Sequence, residues 1–263
     1  MKRIFATMAA IVISAAVMTA CGKNATENTV HSKADLEGKT IGVQLGTTGD
    51  SLASNPEVIK NAKVERYNKY ADAVQALKQG KVDAVIIDSD TAKEFIKKND
   101  DIELLSEELS EEEYAICMNL DNTALQVEIN TVLTEFKTDG TLDTIKEYYD
   151  GANAGENKFK ADPNADTSKG KLVMATNAGF PPYEYMEGQE IVGFDVDMMT
   201  AVCQKLGYEL EIDDMEFDSI IPAVQSGKAD VGVAGMSVTE DRKKNVLFST
   251  PYTNTRLEIM VRK

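Results

Sequence analysis

The sequence predicts an α/β protein of two similar lobes with a ligand cleft between them. A helix end, a Gly-Lys-x-Asp turn and a short apolar strand occur in residues 76–85 and again in residues 223–232. The copies lie roughly 147 residues apart, which indicates a repeated structural unit. Each copy is preceded by a strand that opens with Gly-Lys, at Gly38 and at Gly170. In open parallel sheets, ligands bind beyond the carboxyl ends of the strands, so two facing lobes would enclose a small molecule.

Strands and helices alternate in the first lobe, which favours a parallel sheet. The apolar pattern predicts strand 40–43, a helix near 50–54, strand 63–67, helix 70–78, strand 84–87 and helix 90–98. An acidic stretch, residues 106–113, then precedes a strand at 114–118.

Two helices follow, at 124–136 and from about 141 to Tyr149, and residues 150–169 form a linker whose Gly, Asn, Asp and Pro support no packed element. A second α/β pattern predicts strand 171–175, loop 176–190, helix 194–206, strand 209–212, helix 219–225, strand 231–234 and strand 257–261. Thr239 is placed to cap a short helix with two acidic residues in its first turn.

Residues 1–20 have the features of an export signal. Lys2 and Arg3 precede an apolar run that is too short and too early for a structural transmembrane helix. The run ends before Cys21, and a small residue followed by Cys-Gly resembles a bacterial lipobox, whose cysteine is acylated after cleavage. A lipoprotein is therefore predicted, and the alternative is an ordinary secretory signal followed by a chance cysteine. Residues 21–34 have little apolar content and no period, which predicts a flexible tether.

The charge balance excludes two classes of partner. The chain has 28 basic and 44 acidic side chains, and loss of Lys2 and Arg3 with the signal leaves a net charge of about −18. This charge repels nucleic acid and anionic lipid, whose binding needs basic patches. His31, the only histidine, supports neither a zinc site nor a Ser-His-Asp triad, and no cofactor or metal is predicted. Cys117 and Cys203 are expected as buried thiols, although export leaves a disulfide open.

Two loops of the second lobe carry candidate binding residues. Phe180 lies in a loop held by two prolines, where it serves either a ligand site or the core. Ser237 follows the strand of the second repeat, and Arg242 lies five residues further on. A guanidinium near a helix start, beside a backbone N–H and a hydroxyl, suits a carboxylate. Two acidic neighbours leave a second interpretation open, in which Arg242 forms a solvated surface pair.

The first lobe supplies a complementary group. Residues 44–49 follow a strand, and their small side chains let backbone N–H groups approach an anionic atom. They lack the Gly-Lys-Thr/Ser end of a phosphate loop, which argues against a nucleotide. Asp88 ends the strand of the first repeat, where its carboxylate either takes a ligand ammonium or caps the helix that follows. An arginine in one lobe and an acid in the other are what an α-amino acid needs.

The motifs NAGFPPYE (177–184), GFDVD (193–197), GMSVT (235–239) with Arg242, and FSTPY (248–252) resemble the first half of a known family. The motifs IGVQLGTTG (41–49), VDAVI (82–86) with Asp88, and DGT (139–141) resemble its second half. The family is the amino-acid-binding proteins of ABC importers, extracellular solute-binding family 3, and the likeness covers nearly all of the mature chain. It implies a two-lobed, type II periplasmic-binding-protein-like fold.

The two halves occur in reversed order, so the resemblance implies a circular permutant. The implied parts are lobe 2, the smaller, at 35–109, the hinge at 110–118, and lobe 1, the larger, at 119–263 with the permutation linker 150–169. A coil of about 20 residues spans roughly 25 Å, enough to join termini that lie close together at a surface. A single covalent crossing of the lobes, at the hinge, follows from this order.

Carried over position by position, the resemblance implies a zwitterion site shared by the lobes. Arg242 and the backbone of Ser237 and Thr48 would hold the carboxylate. Asp88 and the carbonyl of Gly235 would hold the ammonium. The predicted ligand-binding residues are Gln44, Thr47, Thr48, Asp88, Asn177, Phe180, Phe217, Gly235, Ser237 and Arg242.

The resemblance also bears on the ligand side chain. Phe180 and Phe217 would flank it, and Asn177 and Gln44 would sample its polar end. Members that bind basic amino acids often have an acid at the position of Asn177, so the amide favours a polar uncharged amino acid.

The predicted function is that of a receptor, not an enzyme. The protein is expected to be exported and lipid-anchored to the outer face of the bacterial cytoplasmic membrane or the periplasmic side. It would trap an amino acid by lobe closure and deliver it to the permease of an ABC importer. One alternative is a dehydratase of small cyclic acids, whose general acid would be Glu184. Another is a sensor subunit without transport. A monomer is predicted, with a strand-swapped dimer as the alternative.

Overall fold

A computed structural model describes residues 27–150, 154–156 and 158–263 of the chain. The predicted signal, residues 1–20, and Cys21 lie outside these residues. Strands occur along the whole of the described chain, as the alternating pattern predicts. In chain order they are β1 (Thr40–Gln44), β2 (Lys63–Tyr67), β3 (Ala84–Asp88), β4 (Ile102–Tyr114), β5 (Cys117–Met118), β6 (Lys171–Thr176), β7 (Gly179–Phe180), β8 (Glu184–Glu187), β9 (Glu190–Val192), β10 (Glu209–Asp214), β11 (Val231–Gly232), β12 (Leu247–Phe248) and β13 (Thr253–Arg262).

Helices follow most of these strands. In chain order they are α1 (Thr48–Ser54), α2 (Tyr70–Lys78), α3 (Ser89–Ile96), α4 (Thr123–Asp139), α5 (Thr141–Tyr149), α6 (Phe194–Leu206), α7 (Ile220–Gln225) and α8 (Glu240–Lys243). Short 3-10 helices lie at Lys33–Leu36 and Phe217–Ser219. Helices α2 and α6 have the predicted bounds. Gly207, at a φ of 87°, ends α6 in the left-handed conformation that glycine adopts without strain.

The smaller lobe is built on a mixed sheet in the order β2-β1-β3-β13-β4. Strand β1 pairs in parallel with β2 and β3, whereas β13 pairs antiparallel with β3 and β4. All residues of β3 are buried, which explains its unbroken apolar run. The carboxyl ends of β1 and β3 are Gln44 and Asp88, and both line the cavity between the lobes.

The larger lobe has its own five-stranded sheet, in the order β10-β6-β11-β5-β12. Strand β6 pairs in parallel with β10 and β11, and β5 runs antiparallel between β11 and β12. A third sheet, β7-β8-β9, lies largely within residues 176–190, where the sequence predicts a loop. Its strands have only 2 to 4 residues, too few to show an apolar period.

The repeated Gly-Lys-x-Asp turn makes the same contacts in both lobes. Asp83 Oδ2 accepts a hydrogen bond from Thr40 N–H at 2.8 Å, and Asp230 Oδ2 accepts one from Val173 N–H at 2.7 Å. The backbone N–H of each aspartate donates to the carbonyl of the same residue, Thr40 or Val173. Each copy of the turn therefore joins two neighbouring parallel strands through two hydrogen bonds.

Two strands connect the lobes, so the predicted single crossing at 110–118 is wrong. Strand β13 starts at Thr253 opposite Tyr114 and ends at Arg262 opposite Ile102. Its 10 residues span about 33 Å, long enough to leave one lobe and enter the sheet of the other. Residues 257–262 pack in the smaller lobe, which corrects the predicted extent of lobe 1, 119–263.

The acidic stretch 106–113 lies within β4, where the sequence predicts no strand. Strand β4 is the edge of its sheet and pairs with β13 alone. Because charged edge strands resist pairing with other chains, the glutamates suit this position.

The predicted tether, residues 21–34, packs onto the smaller lobe in its last part. Val30 is fully buried and belongs to the apolar cluster that includes Leu36 and Ile41. Its N–H donates to Asn28 Oδ1 at 2.9 Å. A single apolar residue among polar ones makes no period, so the pattern concealed this contact.

The described residues include no helix with the length and hydropathy needed to cross a bilayer. Cys117 and Cys203 are both buried and form no disulfide. Burial raises the pKa of each thiol to about 12, so neither is a reactive thiolate.

Candidate functional site

The lobes close tightly around a small cavity of about 10 Å³, room for roughly one water molecule. All of the predicted ligand-binding residues line it, together with three that were not predicted. The full lining is Gln44, Thr47, Thr48, Tyr70, Asp88, Asn177, Phe180, Glu184, Phe217, Ala234, Gly235, Ser237 and Arg242.

A larger, open groove lies beside the connecting strands, and it is a poorer site for a small ligand. Its lining is dominated by charged side chains such as Glu111, Lys93 and Arg256, and Thr48 is the one predicted ligand residue among its described lining. The cavity instead combines aromatic walls with a few convergent polar groups, which is the usual composition of a ligand site.

Arg242 presents a guanidinium to the cavity from the larger lobe. It lies on α8, whose first turn is capped by Thr239 as predicted, since Thr239 Oγ1 accepts from Arg242 N–H. Nη1 donates to Ser237 O at 2.7 Å, and Nη2 donates across the cleft to Gly46 O at 3.0 Å. The guanidinium carbon lies 5.4 Å from the centre of the Phe217 ring, a cation–π contact.

No carboxylate of the described chain forms an ion pair with Arg242. The interpretation of Arg242 as a surface pair is therefore not supported. Its acidic neighbours Glu240 and Asp241 bind Lys243 and Lys244 instead.

Asp88 presents a carboxylate from the opposite lobe. The side chain is 5% exposed, and it makes no capping hydrogen bond to α3. Its Oδ1 accepts from the hydroxyl of Tyr114 on β4. Burial raises the pKa of Asp88 to about 7, against the hydrogen bond from Tyr114, which lowers it. Within the described residues, no lysine or arginine forms an ion pair with this carboxylate.

The two unpaired charges face one cavity from different lobes. A guanidinium suits a carboxylate, and a buried carboxylate suits an ammonium. The arrangement can therefore hold the two charged ends of one zwitterion, and it does so only when the lobes are together.

Asn177 and Gln44 bond to each other across the cleft. Gln44 Nε2 donates to Asn177 Oδ1 at 2.9 Å and to Asn68 O at 2.8 Å, while Asn177 Nδ2 donates to Met215 O at 2.7 Å. Both polar atoms of the Asn177 side chain therefore have protein partners in the closed form. The hydrogen bond between Gln44 and Asn177 links the lobes at the wall of the cavity.

Aromatic rings form another wall. Phe180, 6% exposed, lies 5.7 Å from the Tyr70 ring, centroid to centroid, and 5.6 Å from that of Tyr183. Gly235, at a φ of 52°, allows this packing, because a Cβ there would lie 2.5 Å from the Phe180 ring. Phe180 thus serves the core and the cavity at once.

Small polar groups complete the lining. Thr47 caps α1 by accepting from Asp50 N–H, and its hydroxyl donates to Gln44 O at 2.8 Å. Thr48 is the first residue of α1, where backbone N–H groups have no partner within the helix. Ser237 bridges to Tyr114, which places its backbone at the junction of the lobes.

Glu184 and Tyr70 line the cavity without having been predicted as ligand residues. Glu184 is fully buried and lies beside Asp195, also fully buried, at the start of α6. Neither Glu184 oxygen accepts a hydrogen bond from an N–H or hydroxyl of the described residues. Burial, and then Asp195, raise the pKa of Glu184 well above its ordinary value. In the sequence, the signal for this position was the glutamate that ends the motif NAGFPPYE (177–184).

The described residues contain no cluster of His, Cys, Asp or Glu that could hold a metal ion. The fold and the site together define a two-lobed binding protein with its ligand cavity at the hinge.

Residues 172–263 match the model of the bacterial extracellular solute-binding proteins, family 3. The chain is 43% identical over 99 residues to the arginine-binding extracellular protein ArtP of Bacillus subtilis, covering 38% of this chain and 39% of that protein. It is 31% identical over 133 residues to the L-cystine-binding protein TcyJ of Escherichia coli, covering 50% and 49%. The chain thus spans about two fifths to one half of the curated relatives it matches.

Among solved structures, the arginine-bound form of domain 1 from TmArgBP is 42% identical and covers 36% of this chain and 82% of that chain, with a TM-score of 0.32. An ancestral arginine-binding protein bound to glutamine is 50% identical, covers 32% and 37%, and has a TM-score of 0.31. The proteins that this chain resembles are solute-binding proteins rather than enzymes.

Asp88→Asn should stabilise the ligand-free protein above pH 7. The pKa of Asp88 is raised in the folded state from 3.8 to about 7, so its ionisation opposes folding, and stability is lost as the pH rises through that range. At roughly 1.4 kcal/mol per pKa unit, the variant should gain about 4 kcal/mol in free energy of unfolding at pH 8 and little at pH 4. Urea unfolding at both pH values measures this.

Asp90→Asn is the matched control, two residues away. Burial raises the pKa of Asp90, but hydrogen bonds from Tyr183 and Lys93 outweigh it and lower the pKa overall. This substitution should therefore destabilise the protein at pH 8, an effect that shrinks as the pH falls. A destabilised Asp88→Asn variant at pH 8 would contradict the assignment of Asp88 as an uncompensated buried acid.

Proposed function

We propose that the protein captures a free amino acid by closing its lobes and delivers it to the membrane permease of an ABC importer. One observation carries the proposal: Arg242 and Asp88 line a single cavity from opposite lobes, and neither has a charged partner in the described chain. An α-amino acid supplies both missing partners. The ABC transporter arginine-binding protein 1 of Escherichia coli, 35% identical over 94 residues, is a relative with this role in its name.

Closure couples binding to a change of shape. The cleft contacts Arg242 to Gly46 O and Gln44 to Asn177 join groups on different lobes. A ligand held by both lobes adds contacts that exist only in the closed form, so it shifts the population toward closure. The connecting segments of β4 and β13 are the hinge that this motion needs. A permease that recognises the closed form would then receive only loaded protein.

The cavity favours an amino acid with a cationic side chain. The expectation of a polar uncharged ligand rests on Asn177, whose amide atoms bond to Gln44 and Met215. Two acceptors of the cavity lining that have no donor among the described residues are the carboxyl oxygens of Glu184. A guanidinium between the Phe180 and Phe217 rings would satisfy them and gain cation–π contact. Relatives named as arginine- and histidine-binding proteins support this class.

The proposed site of action is the outer face of the membrane, and the sequence of residues 1–21 supports it. Residues 1–20 would direct export, and a lipid on Cys21 would hold the protein at the outer face of the membrane. The polar segment after Cys21 would then carry the binding lobes, as far as the packed residue Val30. A sensor that binds the same ligand without transport is separated from this proposal by uptake assays in cells that lack the permease.

The order of the chain supports a circular permutation of the family fold. The ends of the folded part lie at one edge of the smaller lobe. Strand β1 starts at Thr40, β3 starts at Ala84 beside it, and β13 ends at Arg262 on the far side of β3. Neighbouring strands are about 4.8 Å apart, so Arg262 and Thr40 are separated by roughly 10 Å. A few residues would bridge the gap between Arg262 and Thr40. The chain joined in this way would pass from one lobe to the other without a break, as the family order requires.

Truncation of either charged residue should abolish tight binding. Arg242→Ala or Asp88→Ala leaves one ligand charge buried without a partner, which costs about 2 to 5 kcal/mol, or roughly 30- to 5,000-fold in affinity. Titration calorimetry with arginine, and with the other standard amino acids and cystine, measures it. The controls are Lys243→Ala and Asp241→Ala, exposed charges on the same helix α8. Equal affinities for all four variants would place the site elsewhere.

Restoring the family order should preserve the fold and the binding. In the reordered chain, residue 263 is joined to residue 27 through a Gly-Ser linker, which keeps the buried residues Val30 and Leu36, and the chain is opened within residues 150–169. Because the strands of both sheets keep their partners, the circular dichroism spectrum and the best ligand should be unchanged, with affinity within about tenfold. An unfolded product would contradict the permutation. Light scattering on both forms reports a swapped dimer.

A further inference from the structure

We propose that Glu184 and Asp195 form a proton-exchange pair, which holds one proton in the ligand-free protein and releases it to solvent when a cationic ligand side chain binds. The inference deepens the proposed function and rests on it, since it needs an amino acid in the cavity. It adds a chemical step, the loss of a proton from a carboxylic acid, to the closure of the lobes.

The geometry of the pair shows how one proton is held. Asp195 Oδ2 accepts from Gly235 N–H at 3.0 Å and from the Tyr252 hydroxyl at 2.8 Å. Asp195 Oδ1 and both oxygens of Glu184 have no N–H or hydroxyl donor in the described chain. The two carboxyl groups lie within hydrogen-bonding reach of each other. A proton on Glu184 is the donor that completes the pair, with the negative charge on Asp195.

The surroundings oppose a second negative charge. Both side chains are fully buried, and two adjacent buried carboxyl groups do not both ionise unless a cation joins them. Burial raises the pKa of Asp195 to about 6, although the hydrogen bonds from Gly235 and Tyr252 lower it. Other titratable or charged groups that face the pair or line the same cavity are Asp88, Asp214, Tyr70, Tyr183, Tyr252 and Arg242.

Among these groups, Arg242 is the one cation, and it is held by Ser237 O and Gly46 O at the carboxylate end of the cavity. The carboxyl groups of Asp88, Glu184 and Asp195 therefore outnumber the cations among these groups. A ligand guanidinium brings a positive charge and several N–H donors to the Glu184 oxygens. The proton of Glu184 then leaves to water or buffer, and the guanidinium N–H groups replace it as donors. The carboxyl pair goes from one negative charge to two, and the ligand cation compensates the second.

A neutral side chain gives a different outcome. Citrulline has the shape of arginine with an uncharged urea group, so it leaves the proton on Glu184. Both ligands share the same α-groups, so any proton that Asp88 releases cancels between them. The ratio of arginine affinity to citrulline affinity should therefore rise with pH. The rise is up to about tenfold per pH unit in the range where the ligand-free pair holds its one proton.

The test is titration calorimetry of the mature chain with arginine and with citrulline, in buffers of different ionisation enthalpy at pH 6 and pH 7. Arginine should release about one proton more than citrulline. Glu184→Gln, which keeps the size of the side chain, should remove that difference and lower the preference for arginine over citrulline at least tenfold. Glu187→Gln, on the same strand β8 at an exposed position, is the matched control.

A second measurement needs no variant. Infrared difference spectroscopy should show the loss of one carboxylic-acid carbonyl band when arginine is added, and no such loss with citrulline. Binding of arginine with equal proton numbers for both ligands, and no lost band, would overturn the proton exchange while leaving amino-acid capture intact. Tight binding of neutral amino acids alone would also overturn it. Absence of binding by any amino acid would instead contradict the proposed function.

Discussion

The structure depends on one electrostatic constraint, the pair of opposite charges that face the interlobe cavity without charged partners among the described residues. Uncompensated charge in a protein interior is costly, and the surroundings of Arg242 and Asp88 show how that cost is reduced. Arg242 is held by two backbone carbonyls and the Phe217 ring. Asp88 accepts from Tyr114, and its pKa is raised to about 7. A zwitterion offers both groups a full partner, but only when the lobes are closed.

The paired strands β4 and β13 connect the lobes that carry these two charges. They run antiparallel from one lobe into the other, so the lobes are joined by a hydrogen-bonded ribbon rather than by a single strand. Tyr114, which donates to Asp88, lies on this ribbon, where it also bridges to Ser237 beside Arg242. One residue of the hinge therefore contacts both ends of the proposed ligand site. A change in the angle between the lobes moves both charges relative to each other.

Much of the site follows from local sequence patterns, because it is built at the ends of strands. The repeated turn locates β3 and β11, and residues directly after a parallel strand face the ligand edge of a sheet. That rule reaches Asp88, Ser237 and, through the cap at Thr239, Arg242.

Other features depend on contacts between distant segments, which no local pattern contains. The bond of Gln44 to Asn177 joins residues 133 positions apart. The burial of Val30 and the passage of β13 into the smaller lobe are likewise set by tertiary packing. Glu184 is the instructive case, since the sequence shows an acid in a loop but not the second buried acid beside it. The chemistry of that position is decided by Asp195.

Ligand analogues that lack one charged end test the central claim most directly. Calorimetry with arginine, with agmatine, which has no carboxylate, and with Nα-acetylarginine, which has no ammonium, separates the two halves of the grip. Each analogue should bind at least a hundredfold more weakly than arginine, and Arg242→Ala should leave the affinity for agmatine almost unchanged. Analogues that bind as tightly as arginine would contradict the joint recognition of both charges.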